Sequence, residues 1–143
     1  MNMTAAAGGR MELRRQSRVA RALGSPFVAD ILEAADRQLE LAPHTAALIT
    51  GWPDDPAEAA LGLRLNSAMH ALARRGSPPA LAALFRRQHD NFDAAAAEAF
   101  QTEDRFIAEW MRNPTQTNEV ARAAAISAAL MVLRRETGVP AEL

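Results

Sequence analysis

The chain has 143 residues, with 16 Arg and no Lys, 17 acidic residues and a net charge of -1. This length suits a single domain with a real core, and the near-zero charge gives no general attraction to nucleic acid or to a membrane surface. The absence of Cys excludes thiol catalysis, disulfides, iron–sulfur clusters and thiolate zinc sites, and the absence of Lys excludes Schiff-base chemistry by this chain.

Met1 to Gly9 is small and flexible in composition and has no basic segment followed by an apolar core, so it does not read as a signal peptide. The expectation is a disordered tail over 1–9 and one helical domain over 10–143. Arg10 to Leu23 has helix-forming composition and stops at Gly24, a residue that readily takes the left-handed conformation. Arg10, Arg14, Arg18 and Arg21 share one face of it. A solvated face is the expected reading; a phosphate or acidic-partner site would need a second basic surface beside it, and none is obvious. Ser25-Pro26 then reads as an N-cap followed by proline in the first turn of a second helix, which runs to about Leu41. Phe27, Ile31, Ala34, Ala35 and Gln38 share its docking side, leaving Asp36, Arg37 and Glu40 in water. Pro43 breaks the pattern, and a short helix from His44 to Thr50 ends at Gly51. Trp52 beside Pro53 reads as packing at a corner.

Asp54-Asp55-Pro56-Ala57-Glu58 is the best helix-start signal in the chain, with Asp as N-cap, Pro first and Glu third. The helix it opens is expected to run to Arg75 and stop at Gly76. Leu61, Leu65, Ala68, Met69 and Leu72 form its apolar stripe, and His70 sits beside that stripe. Ser77-Pro78 repeats the cap-then-proline device and starts a short helix to Arg87, followed by a polar connection, Gln88-His89-Asp90-Asn91. His89 and Asp93 are four apart, but two ligands in a loop do not make a metal site, and none is assigned. Asp93 to Phe100 and a segment capped by Thr102 through Trp110 are further helices, ended by Asn113-Pro114. No alternating β pattern and no fixed-period repeat occurs, so the class is all-α, an irregular bundle of about six to eight helices.

The stretch Asn113 to Val120 places polar side chains directly before the apolar run Ala123 to Leu133. That run is well short of the ~18 residues of a membrane span, and a cytoplasmic protein is expected. Thr115 or Thr117 can cap a last long helix over about 118–136, which is expected to be central. Glu119 meets the positive end of its dipole and tops its bulky apolar stripe, with Arg122 as intrahelical partner and Asn118 four residues before Arg122. Ala121, Ala125, Ala128 and Val132 line the opposite face, so this helix wants cover on both sides.

Five stretches carry a resemblance to a known family: Leu23-Gly24-Ser25-Pro26, Gly51-Trp52-Pro53-Asp54-Asp55-Pro56, Leu63-Arg64-Leu65 to His70-Ala71-Leu72, Ser77-Pro78-Pro79-Ala80-Leu81-Ala82, and Pro114 to Arg122. In that order they resemble the N-terminal portion of the bacterial domain of unknown function 2332. The family tends to carry aromatic residues, often Tyr, after the Pro-Ala-Leu segment, whereas this chain has Phe85-Arg86 and no Tyr. The resemblance implies a helical N-terminal module of a longer protein similar to S-adenosylmethionine-dependent methyltransferases, with a strand and a glycine-rich turn following the position of Leu143. It implies that Gln116, Thr117, Asn118 and Arg122, with His70, face a cleft toward that missing C-terminal α/β domain. Glu119, if desolvated there, becomes the candidate general base. No cofactor is expected on this chain alone; S-adenosylmethionine would belong to a full-length relative. The other reading is a stand-alone helical interaction protein that buries its extra apolar face in a homodimer. A hydrolase built on His44, His70 or His89 finds no Ser or carboxylate in a recognisable arrangement.

Overall fold

In the computed structural model, residues 3–53 and 55–112 are described. Helix α5 (Leu61–Arg75) is the strut of the bundle, with Leu61, Leu65, Ala68, Met69 and Leu72 all buried. Burying each such Leu or Met side chain contributes about 1.5–3 kcal/mol. Around it stand α1 (Met3–Ala22), α2 (Pro26–Gln38), a 3-10 turn (Leu39–Leu41), α3 (Pro43–Thr50), the single turn α4 (Pro56–Ala59), α6 (Pro79–Phe85) and α7 (Phe92–Arg112). Among the described residues every element is helical and none is a strand, as expected of an all-α bundle. The expected last helix over 118–136 lies outside the described residues.

Helix α1 lies along α2 and reaches α5, while α2, α5, α3 and α6 all pack on α7. Two glycines set the closest approaches. A methyl group on Gly62 would stand 2.6 Å from Cβ of Gln16, so only glycine lets α1 cross α5 here. A methyl on Gly9 would collide with the carbonyl of Ile49 on α3. Helix α1 thus begins at Met3, inside the segment expected to be a tail, and Gly9 is buried against α3.

The Arg face of α1 is largely exposed, but three of its four side chains are tied to α2 by ion pairs. Arg10 and Arg14 each place Nε 3.1 Å from the Asp36 carboxylate, and Arg10 Nη2 donates to the Asp36 carbonyl at 2.9 Å. Arg21 reaches Asp30 and Glu33 at 2.9 and 3.0 Å. Asp36, expected in water, is only 16% exposed in its side chain because two guanidinium groups cover it. Arg18 alone of the four is left as an exposed side chain of the stripe with no ion pair among the described residues. Buried Ser17 donates to Glu33 at 2.8 Å, and this hydroxyl, with Arg21 adding to it, holds the Glu33 carboxyl below the usual carboxylate range. Arg37 bonds Asp93 at 2.9 Å and lowers that carboxyl in turn, tying α2 to α7.

Several boundaries differ from expectation for local reasons. The Asp55-Pro56 start holds, with Asp55 Oδ1 accepting from the Ala57 amide at 2.9 Å, but the helix stops after one turn. Ala60 takes the left-handed conformation, φ 53°, and a new helix begins at Leu61. The segment Phe92–Arg112 is continuous where two helices were expected, with a kink at Glu103 (φ -129°, ψ 25°). Thr102 donates to the Glu98 carbonyl at 2.8 Å instead of capping a new helix. Helix α6 starts at Pro79 behind Pro78, so Ser77 is not its cap.

The kink has a function in the fold. Helix α3 has Ala42 at its N-cap and no cap side chain of its own. Asp104, next to the kink, supplies one from α7: its carboxylate accepts from the amides of His44 and Thr45, both at 2.8 Å, and from Thr45 Oγ1 at 2.7 Å. A carboxylate at a helix N-terminus also meets the positive end of the dipole. Asp104→Ala should therefore cost about 2–3 kcal/mol in urea unfolding at pH 7, and Thr45→Val about 1–2 kcal/mol, since Thr45 is fully buried.

A second expected outcome concerns pH. The folded-state pKa of Glu33 is depressed, so its contribution is present above the unfolded carboxylate value and is lost as pH falls through the folded one. Ser17→Ala should be less stable than the native chain by about 1 kcal/mol at pH 7. The gap should narrow below pH ~4, where Glu33 protonates in both proteins; urea unfolding at several pH values reads it directly.

Candidate functional site

Arg64 is the least expected residue of the core. It lies on α5 between Leu61 and Ala68, near the buried stripe, and is 3% exposed. Its Nε donates to the Ala59 carbonyl at 2.8 Å and its Nη1 to the Met111 carbonyl at 2.6 Å. Ala59 closes the single turn of α4, where carbonyls lack intrahelical donors and the dipole favours a cation, and Met111 lies one residue before the last described residue of α7. This explains the left-handed Ala60: the guanidinium satisfies the end of α4 and lets the chain turn into α5. Burial pushes the Arg64 guanidinium down from its ordinary pKa, but an arginine remains charged at any physiological pH.

Trp52 covers this group from outside, with its ring centroid 5.1 Å from the guanidinium carbon. A planar cation over an indole face is worth about 0.5–2 kcal/mol, more as water is excluded. One turn along α5, Ser67 Oγ accepts from Trp110 Nε1 at 3.0 Å. Trp110 in turn stacks on Phe106, centroids 5.7 Å apart. Two side-chain hydrogen bonds thus clamp the last turn of α7 to the first half of α5. Arg112 is the last described residue of α7.

Gln116, Thr117, Asn118, Glu119 and Arg122 lie outside the described residues. His70 is described and stands apart from the clamp. Six residues beyond Arg64, it is about 9 Å along the helix and about 120° round it. It is exposed, and its ring lies 5.4 Å from that of Phe85 on α6. Phe85 meets Phe27 edge-on at 5.1 Å, and Phe27 meets Phe92 at 5.5 Å, so His70 belongs with the aromatic cluster at the start of α7. His89 Nε2 is buried without a hydrogen-bond partner, and Asp93 is paired with Arg37. Among the described residues no group of three or more possible metal ligands occurs, and no helix is long and apolar enough to cross a membrane.

A surface depression of about 220 Å³ lined by His44, Arg105, Ala108, Glu109 and Arg112 follows α7 to the same end. It falls below the ~300 Å³ at which small-molecule pockets begin. Sequence reasoning missed Arg64 as a site element. The signal was available: a lone Arg flanked by Leu63 and Leu65, sharing the face of Ala68, is out of place unless something buried needs it.

Residues 10–143 match the family described as "Uncharacterized protein conserved in bacteria (DUF2332)". The chain belongs to that family. No curated protein and no solved structure matches it. Within this DUF2332 chain, the stretch Gly51 to Pro56 contributes Trp52 and the stretch Leu63 to Leu65 contributes Arg64. Trp52 and Arg64 therefore meet beside the last described turn of α7. Arg64→Met, which keeps the length of the side chain but leaves two carbonyls without their donor, should cost about 2–4 kcal/mol. Urea unfolding with an unchanged m-value would show that the loss is in the native state.

Proposed function

We propose that this chain is the helical N-terminal module of a methyltransferase-like protein, shaping a substrate or cofactor cleft and not catalytic by itself. The observation that supports the reading is the meeting of Trp52, Arg64 and the last described turn of α7, which precede the polar stretch Gln116 to Arg122 in sequence. Polar loops that bind ligands are held in place by rigid elements behind them, and a buried, hydrogen-bonded support is what such a loop needs. On this reading Gln116, Thr117, Asn118 and Arg122 contact substrate or S-adenosylmethionine, and Glu119 acts as general base once water is excluded. The small size of the depression along α7 fits a half-site whose other wall is an α/β domain with a glycine-rich turn. His70, held in the aromatic cluster, takes no part in it. The site of action is the cytoplasm.

The test is the native product isolated from its source cell. Its intact mass should exceed the 15.4 kDa of this chain, and equilibrium dialysis should show S-adenosylmethionine binding that Asn118→Ala weakens about tenfold, or ~1.4 kcal/mol. A native product of 15.4 kDa with no affinity for S-adenosylmethionine overturns the proposal. A stable symmetric dimer of that mass would then favour an interaction protein.

A further inference from the structure

Most arginine side chains on the described surface have a partner. Arg10 and Arg14 meet Asp36, Arg15 meets Glu12, Arg21 meets Asp30 and Glu33, and Arg37 meets Asp93. Arg75 and Arg87 lie over the rings of Phe106 and Phe27. Arg105 and Arg112 differ: both are exposed, and neither side chain has an ion pair or a hydrogen bond among the described residues. They border one depression, of about 220 Å³, together with Glu109 and buried Ala108 of α7 and His44 of α3. Two helical turns separate the two arginines, about 10.5 Å along α7 and about 20° round it, so both forks can reach one group between them. Ala108, at that level of the helix, has no side chain to fill the space. Glu109 lies four residues after Arg105 and three before Arg112, the spacings at which helix side chains pair, yet it makes no ion pair with either. The frame around these groups is held by Asp104, which fixes the start of α3 on α7 through the amides of His44 and Thr45. Its carboxylate is occupied by those bonds and by Thr45 Oγ1.

We propose that this depression binds inorganic phosphate, with Arg105 and Arg112 donating to its charged oxygens, His44 adding an imidazole N–H, and Glu109 accepting the P–OH hydrogen. Guanidinium forks match tetrahedral oxyanions. The carboxylate sets the choice of ion: at neutral pH phosphate keeps a hydroxyl, whereas sulfate keeps none and brings a charged oxygen against Glu109. The volume suits a single tetrahedral ion and is below what an organic ligand fills. The site consists of His44 and residues of α7 and does not depend on the cleft reading. Its test is a titration of the full chain with sodium phosphate and with sodium sulfate, at pH 7 and constant ionic strength, followed by amide and arginine side-chain NMR signals. Phosphate should give saturable shifts at His44, Arg105, Glu109 and Arg112 with a Kd of about 1 mM, and sulfate should bind about tenfold more weakly. Arg105→Gln and Arg112→Gln should each weaken phosphate about tenfold, while Arg18→Gln, at an exposed arginine of α1, leaves it unchanged. Glu109→Gln should bring sulfate to within about threefold of phosphate, because an amide does not repel a charged oxygen. All these side chains are exposed, so circular dichroism of each variant should match that of the native chain. Equal binding of the two ions by the native chain, or shifts that do not saturate by about 20 mM phosphate, overturns the proposal. So does phosphate binding that survives both arginine substitutions, or a preference for phosphate that survives Glu109→Gln.

Discussion

Burial of α5 on nearly every side is the constraint from which the rest of this bundle follows. A helix packed on several neighbours must have its backbone closely approached, and buried helix ends beside it need partners other than water. Gly62 meets the first demand by admitting Gln16 of α1, and Arg64 meets the second at the end of α4. The short elements α3, α4 and α6 are marginal alone, so their order comes from packing and from contacts between elements. Asp104 capping α3 from α7 is one such contact, and Arg64 holding α7 from α5 is another. The start of α3 and the end of α4 are thus each secured by another element, which couples them to the rest of the bundle.

Electrostatics plays a different part on the outer side. Arg10 and Arg14 on Asp36, Arg21 on Asp30 and Glu33, and Arg37 on Asp93 run from α1 across α2 to α7. Most of these side chains are half-exposed, and isolated pairs of that kind contribute little, up to about 1 kcal/mol each. Their value lies in register: the acidic face of α2 accepts α1 on one side and α7 on the other, in one alignment. Asp36 and Ser17 are the covered members of the set, and they are where a substitution is felt.

What was legible in the sequence was local. Gly24 and Gly76, both at positive φ, mark helix ends as their position suggests, and Asp55-Pro56 starts a helix with the expected cap bond. The apolar stripe of α5 is the stripe that is buried. What could not be read depends on partners far along the chain. Ala60 has no feature of a helix break; the break exists because Arg64, four residues on, and Met111 need the geometry it provides. The Arg face of α1 looks like any solvated face until α2 lies against it. Thr102 looks like a cap, yet its hydroxyl bonds back to Glu98 because Asp104 turns toward α3. For the candidate site, Trp52 and Arg64 both lay inside the stretches that carried the family resemblance, but their meeting is a property of the folded chain. Gln116 to Arg122 remain a reading of sequence.

The two ends of α7 show how differently one helix can be held. At its start Phe92 sits in an apolar cluster with Phe27 and Phe85, and Arg87, at φ 62°, lays its guanidinium 3.5 Å from the Phe27 ring. Contacts of that kind are broad and tolerate small rotations, because ring faces and edges offer many geometries of similar energy. At its end, about 30 Å of helix away, α7 is held by directional hydrogen bonds from Arg64 and to Ser67. These lose strength steeply as the angle departs from linear. The described part of α7 therefore owes its alignment at that end to two side chains of α5 and not to the core as a whole.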